Sequence, residues 1–209
     1  EMEGDHGTMK VLLINGSAKE KGCTFTALSE VARGLNESGV ETEILSLGTK
    51  PVADCMGCGK CRETGSCVFG DIVNEIVEKA KTADGFVFGS PVYYAHASGR
   101  LLSVLDRAFY SGGKEFAFKP GAAVVSARRG GTTASLEVIN KHFSINQMPI
   151  VTSNYWNMVH GNTPDEVRQD KEGMRTMYNL GRNMAWMIKC IQAGPEHPQN
   201  EKESTNFIR

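Results

Sequence analysis

The sequence predicts a doubly wound α/β fold, in which helices cover both faces of a five-stranded parallel sheet. Short, continuous apolar runs, which suit strands buried on both faces, alternate along the chain with segments whose apolar residues recur at helical spacing. The chain has 209 residues, a length at which one such domain buries a full core. We therefore expect a single domain whose parallel strands are joined by right-handed crossovers.

Five apolar runs are predicted strands. The first, residues 10–15, ends at Gly16-Ser17, and the third, residues 85–90, is expected to stop at Pro91. The remaining strands are predicted at residues 40–47, 121–126 and 149–152.

Helices are predicted between and after these strands, at residues 24–38, 71–82, 98–110, 132–143 and 164–191. Residues 1–8 are polar and are taken as an N-terminal extension, either natural or left from cloning. Residues 9–194 form the predicted domain, with a cysteine-rich loop at 54–68. Residues 195–209 are a polar C-terminal tail.

Charge and hydropathy exclude several classes of function. The chain carries 23 Lys and Arg against 24 Asp and Glu, so no net field would draw it to nucleic acid or to an anionic membrane. No apolar run approaches the roughly 18 residues of a membrane span, and the start lacks a secretory signal. We expect a soluble, cytoplasmic protein with a small-molecule or protein redox partner.

The turn after the first strand is a candidate phosphate site. It reads Asn15-Gly-Ser-Ala-Lys-Glu-Lys-Gly-Cys-Thr24 and leads directly into a helix N-terminus, where free N–H groups favour an anion. Its glycines are too far apart for a dinucleotide fingerprint, and Lys21 precedes Gly22 instead of following a glycine as in an NTPase loop. A monophosphate therefore fits best, and an ordinary strand-to-helix loop is the alternative.

Two further loops follow strands at the same predicted edge. Tyr93 and Tyr94 end the segment 89–94 and could lie against a flat ring, although packing tyrosines are the alternative. Arg128 and Arg129 lie in the small-residue segment 126–132, where a solvated arginine pair is the alternative. The carboxyl edge of a doubly wound sheet gathers such loops in one crevice, which favours a ligand site there.

Four cysteines crowd one segment in the pattern C-x2-C-x2-C-x5-C, namely Cys55, Cys58, Cys61 and Cys67. Three thiolates on a tight turn can ligate three irons of a cubane, and nearby glycines let the chain curl so that Cys67 reaches the fourth. A [4Fe-4S] cluster, reactive thiols and structural zinc remain the alternatives. Cys190 is interpreted as a buried small hydrophobe on the final helix.

Three segments together resemble a known family: Gly16-Ser17 to Cys23-Thr24, Ser90 to Tyr94, and the cysteine cluster. They resemble the flavodoxin-like NAD(P)H-dependent FMN reductases and, within them, the iron-sulfur flavoproteins. The resemblance implies strand order 2-1-3-4-5, bound FMN, NAD(P)H as electron donor, and an oxidoreductase that reduces a quinone, a flavin or another small acceptor. It also implies a [4Fe-4S] cluster, a ferredoxin-like donor as a second partner, and a homodimer or homotetramer.

The same resemblance assigns site residues. The FMN phosphate and ribityl chain would contact Ser17, Lys19, Cys23, Thr24 and Phe25. The isoalloxazine would be bordered by Pro91, Val92, Tyr93, Tyr94, Ser126, Arg128, Gly130 and Gly131. The cluster ligands would be Cys55, Cys58, Cys61 and Cys67. No catalytic side chain is assigned.

Two other functions remain alternatives: a non-enzymatic electron carrier of flavodoxin type, and a redox-sensing protein that uses the cysteine loop as a switch. The near-neutral charge counts against the carrier. Residues 154–160 are interpreted as an aromatic loop packed on its own domain, with substrate or subunit contact through Trp156 or His160 as the alternative. A second set could be either interface or core: Tyr155, Trp156, Met158, Met174, Met177, Met184 and Met187.

Overall fold

A parallel sheet of five strands forms the centre of the computed structural model, which describes residues 7–205 and 207. The strands are β1 (Lys10–Asn15), β2 (Glu41–Ser46), β3 (Gly85–Tyr93), β5 (Gly121–Ala127) and β6 (Met158–His160). Their order is β2-β1-β3-β5-β6, and the two-residue strand β4 (His96–Ala97) pairs antiparallel with β3. Leaving β4 aside, the predicted order is confirmed. Residues 1–6 of the predicted extension lie outside the described residues.

Helices cover both faces of the sheet. Their bounds are α1 (Cys23–Asn36), α2 (Cys61–Thr64), α3 (Ile72–Ala80), α4 (Gly99–Gly112), α5 (Thr132–Ile145), α6 (Pro164–Gln169) and α7 (Lys171–Ala193). Alternate residues of β1 serve the two cores: Leu12 packs with α3, α4 and α5, while Leu13 packs with α1 and α7. Both residues are fully buried, as the apolar run predicted.

The third strand is longer than predicted. Pro91 was expected to end it, but β3 continues to Tyr93 because Pro91 lies in register with Ser126 of β5 and because the strand turns into β4. Since proline lacks only the N–H donor, the strand can pass through it near its end.

The fifth strand was predicted at the wrong residues. Of the segment 149–152, Ile150 alone makes a bridge, to Gly121, and the strand of the sheet is β6. Between these two contacts the chain leaves the sheet at residues 152–156, because Val151 and Asn157 still bond to the backbone of β5. The apolar run at 149–152 was therefore a correct sign of burial at Val151 but not of a regular strand.

The predicted final helix is divided at Asp170, whose ψ of 80° is not helical. Its carboxylate accepts hydrogen bonds from the N–H groups of Gly173 and His160, at 2.9 and 2.8 Å. Asp170 thereby caps α7 and ties it to β6.

Among residues 7–205 and 207, no helix combines the length and the apolar character needed to cross a membrane.

Candidate functional site

The loop between β1 and α1 is folded around Asn15, a fully buried residue that the sequence analysis did not single out. Its Oδ1 accepts from the N–H of Ser17 at 3.1 Å, and its Nδ2 donates to the carbonyl of Glu20 at 3.2 Å. Ser17 Oγ in turn accepts from the N–H of Lys19 at 3.1 Å. These bonds fix a tight turn, with Ser17 buried and the Lys19 side chain exposed at its rim.

The N-terminus of α1 carries no side-chain cap. Its N-cap residue is Gly22, and α5 likewise begins after a glycine, Gly131. By contrast, side chains cap α3, α4, α6 and α7. The N–H groups of the first turn of α1, where Cys23, Thr24 and Phe25 lie, therefore remain free to bind an anion, and the helix dipole favours one there.

The loop after the first predicted strand and the loop after the fourth meet through a hydrogen bond between two hydroxyl groups. Thr24 Oγ1 and Ser126 Oγ are 2.9 Å apart, and both residues are buried. Both belong to the predicted set of FMN contacts. The sequence placed them in the same crevice, and the structure brings them into direct contact.

The loops that follow β1 and β3 meet where these two strands end. The N–H of Gly16 donates to the carbonyl of Gly89 at 2.8 Å, and a Cβ at Gly16 would lie only 2.7 Å from that oxygen. Ser98, the N-cap of α4, donates from Oγ to the carbonyl of Gly16 at 3.1 Å. Since a side chain at position 16 would force these strands apart, glycine is required at this close approach.

A strained hairpin projects beside these loops. Tyr94 and Ala95 connect β3 to β4, and their φ angles of 50° and 59° are those of a two-residue hairpin turn that normally favours Asn or Gly. Such conformations cost of order 1–3 kcal/mol and occur preferentially at ligand sites. Tyr93 is half exposed and Tyr94 fully exposed.

Gly131 lies against this hairpin. Its φ is 94°, and a Cβ there would come within 2.4 Å of Ala95 Cα. The hairpin and the loop after β5 are therefore packed backbone to backbone. Pro91 and Val92 are partly buried behind the turn, while Arg128 and Gly130 are exposed at its edge.

The four clustered cysteines line one small cavity, together with Met56, Phe69 and Tyr110. Gly57, Gly59 and Gly65 adopt positive φ angles of 67°, 70° and 74°, which lets the segment fold back on itself. In the part of the chain that the structure describes, no three His, Cys, Asp or Glu side chains converge on a point suited to one metal ion. The four thiols line the small cavity together with the apolar and aromatic side chains named above.

Arg107 of α4 forms the wall of this cavity and was not predicted. Its side chain is only 1% exposed and pairs with Asp71 at 2.8 Å. Burial alone would lower the pKa of Arg107, but its hydrogen bonds with Asp71 and Cys67 and the charges of these two groups together outweigh burial, so the pKa is raised. Burial likewise opposes ionisation of Asp71, yet the hydrogen bonds from Arg107 and Val73 hold its pKa below the ordinary value. The sequence did contain a signal of this burial, because Arg107 lies at helical spacing from the apolar residues Val104 and Ala108.

Two expectations for other residues need correction, and the methionine set, which was left open between core and interface, is partly decided. Cys190 is exposed, so its interpretation as a buried hydrophobe was wrong. The aromatic loop does not pack fully on its own domain: Tyr155 and Trp156 are 51% and 60% exposed. Of the mixed methionine set, Met158, Met177 and Met184 are core residues.

An open groove lies between α5 and residues 150–157, with a volume of about 810 Å³. Trp156 and Tyr155 line it, as does Thr133 in the first turn of α5. The groove therefore begins two residues beyond Gly131 and extends to the edge of the sheet.

Comparisons with known proteins identify the family and the fold. Residues 9–163 match the family described as NADPH-dependent FMN reductase. An iron-sulfur flavoprotein of Methanocaldococcus jannaschii is 35% identical over 192 residues, which cover 88% of this chain and 100% of that protein. An iron-sulfur flavoprotein of Methanosarcina thermophila is 32% identical over 191 residues, covering 88% and 97%. An archaeal flavodoxin structure superposes with a TM-score of 0.59 at 15% identity, covering 87% of this chain and 99% of that one, so the fold is flavodoxin-like.

Replacement of Thr24 by valine tests the phosphate end of the crevice. We expect Thr24→Val to weaken FMN binding by about 1 kcal/mol, because a hydroxyl buried at the helix start is lost. Fluorescence titration of the flavin-free protein measures the change. Thr26→Val is the matched control, since Thr26 Oγ1 bonds to the Gly22 carbonyl within its own helix. Equal affinities for both variants and the parent protein would remove Thr24 from the site.

Proposed function

The chain belongs to the NADPH-dependent FMN reductase family, and we propose that this FMN-dependent oxidoreductase passes electrons from NAD(P)H to a quinone, a free flavin or another small acceptor. We further propose that its cysteine segment holds a [4Fe-4S] cluster, which receives electrons from a ferredoxin-like donor protein. The observation that carries the proposal is that one chain contains both features: a crevice of three loops at the uncapped N-terminus of α1, and a cavity lined by four thiols.

The proposal gives FMN an orientation in the crevice. The first-turn N–H groups of α1, with Ser17, Lys19 and Thr24, would bind the phosphate and ribityl chain. The hairpin at Tyr93 and Tyr94 and the glycines after β5 would border the ring, where exposed aromatic faces and bare backbone suit a flat heterocycle. Bound FMN supplies the redox chemistry, and the protein binds, orients and shields it.

The cysteine segment fits a cluster by its donor set. Cys55, Cys58, Cys61 and Cys67 are free thiols around one cavity, and the relatives named above are called iron-sulfur flavoproteins. Free thiols also suit a reducing compartment, and we propose a cytoplasmic location on that ground.

An oligomer is a further part of the proposal. Trp156 and Tyr155 are exposed beside the open edge of β6, where a second copy could cover them. Large aromatic residues at an exposed sheet edge are typical of protein interfaces. We propose a homodimer, or a homotetramer built from it, that uses this edge.

Steady-state turnover separates the enzyme from an electron carrier. We expect the purified holoprotein to oxidise NADPH or NADH continuously when a quinone or free flavin is added under anaerobic conditions. A carrier of flavodoxin type would accept electrons from a reductase but would give no turnover with either nicotinamide cofactor. That second result would overturn the proposed activity while leaving the fold unaffected.

Iron content tests the cluster separately. After anaerobic reconstitution, the parent protein should contain close to four irons per chain, since a [4Fe-4S] cluster contains four irons. Cys58→Ser should lose that iron and keep its FMN, because the flavin loops follow other strands. Cys190→Ser, at an exposed cysteine on α7, is the control and should retain both. If Cys58→Ser binds as much iron as the control, the assignment of the ligands fails.

The interface is tested by comparing the two exposed tryptophans. Trp156→Ser should weaken self-association about tenfold or more, because a buried interface tryptophan is commonly a major contributor to affinity. Trp186→Ser is the control, since Trp186 is equally exposed but lies on α7. Sedimentation velocity across a concentration series measures both. A monomeric parent protein, or a larger effect at Trp186, would contradict the proposed edge.

A further inference from the structure

Every N–H donor of the Arg107 guanidinium group has a hydrogen-bond acceptor. Nε and Nη2 donate to Cys67 Sγ at 3.3 and 3.2 Å. Nη1 and Nη2 donate to the two carboxylate oxygens of Asp71 at 2.9 and 2.8 Å, and Nη1 also donates to the Ala53 carbonyl at 3.1 Å. A guanidinium has five N–H donors, so each of them has one acceptor.

The ion pair with Asp71 does not explain this arrangement. The pair uses two donors, and a simple buried pair is weak support for a fold because desolvation opposes the Coulomb gain. Two of the other three donors point at a single sulfur. A neutral thiol is a weak acceptor, whereas a sulfur that ligates a metal carries negative charge and accepts charged donors well.

We propose that Arg107 is a positioning residue of the iron-sulfur cluster. Arg107 holds Cys67 in place as the fourth ligand and raises the reduction potential of the cluster. This inference rests on the proposed function of the cysteine segment. The reduced cluster carries one more negative charge than the oxidised cluster, so a cation that donates two hydrogen bonds to a ligand sulfur stabilises the reduced form more. Removal of Arg107 should therefore lower the potential.

The same side chain closes the cysteine segment. Ala53 lies two residues before Cys55 and Cys67 ends the run, so Arg107 joins the two ends of the segment through α4. Two neighbours on α4 assist: Arg100 donates to the carbonyls of Thr49 and Lys50, and Tyr110 accepts from Arg62 at 2.6 Å. Residues 48–59 form no regular secondary structure, so these contacts supply the order that a strand or helix would otherwise give.

Phe69 shields the arrangement from solvent. The Arg107 Cζ lies over the Phe69 ring, 4.6 Å from its centroid, and both residues line the cavity. A less hydrated cation acts more strongly on a nearby charge, because the local dielectric constant is lower than in water. A change at Arg107 should therefore have a larger effect on the potential than a change at the exposed Arg62.

A redox titration of three variants separates this role from a structural one. Arg107→Met removes the cation and keeps most of the volume. Arg107→Lys keeps the charge but loses the fork of donors. Asp71→Asn breaks the ion pair and leaves the donors to Cys67. Iron, sulfide and FMN are assayed first in anaerobically reconstituted holoprotein, and the midpoint potential is then followed by electron paramagnetic resonance.

We expect Arg107→Met to shift the reduced-to-oxidised ratio at least tenfold toward the oxidised cluster, which is about 59 mV for a one-electron couple. Arg107→Lys should shift it in the same direction by less. Asp71→Asn should not lower the potential, because it removes a negative charge. If Arg107→Met fails to retain FMN, the lysine variant and Asp71→Asn decide the question.

Each remaining outcome overturns a defined statement. A parent protein without iron overturns the cluster proposal and this inference together. Normal iron content with an unchanged potential in both Arg107 variants overturns this inference alone. An equal fall in potential in Asp71→Asn and in the Arg107 variants would show that Arg107 acts only through the ion pair and the stability of the loop.

Discussion

The candidate flavin site depends on the close approach of β1 and β3 at their carboxyl ends. Gly16 bonds to the Gly89 carbonyl, and no Cβ fits between them. Beside this contact, Ser98 at the N-terminus of α4 donates a hydrogen bond from its Oγ to the Gly16 carbonyl. The crevice is thus formed by backbone that has few side chains in the way, which is what the binding of a phosphate by N–H groups requires.

The strain in the crevice is compensated by neighbouring contacts. Tyr94 and Ala95 have left-handed backbone, which Gly131 stabilises by packing directly against Ala95. The Thr24–Ser126 hydrogen bond then joins the first loop to the loop after β5. Three segments that are far apart in the sequence therefore support one another in a shape that none would keep alone, as is common at functional sites.

The sequence predicted the parts of this structure that arise from local patterns. The apolar run 10–15 became β1, and Thr24 and Ser126 were placed at one edge because parallel strands gather their following loops there. The strand at 149–152 was wrong because burial of Val151 and pairing in the sheet are different properties. Arg107 was missed because its hydrogen-bond partners lie 36 to 54 residues away in the sequence. Asn15 was missed because its bonds to Ser17 and Glu20 form only when the loop is folded.

One helix connects the two candidate sites. Ser98 caps α4 at the flavin crevice, and Arg107 reaches the cysteine cavity from the same helix nine residues later, a rise of about 14 Å at 1.5 Å per residue. A helix of this length moves as a rigid body, so a displacement of the cysteine segment that shifts Arg107 would also shift Ser98. The two sites therefore share one structural element although they follow different strands. The bonds of Arg100, Arg107 and Tyr110 attach the cysteine segment and its flanks to α4, which also borders the candidate flavin crevice.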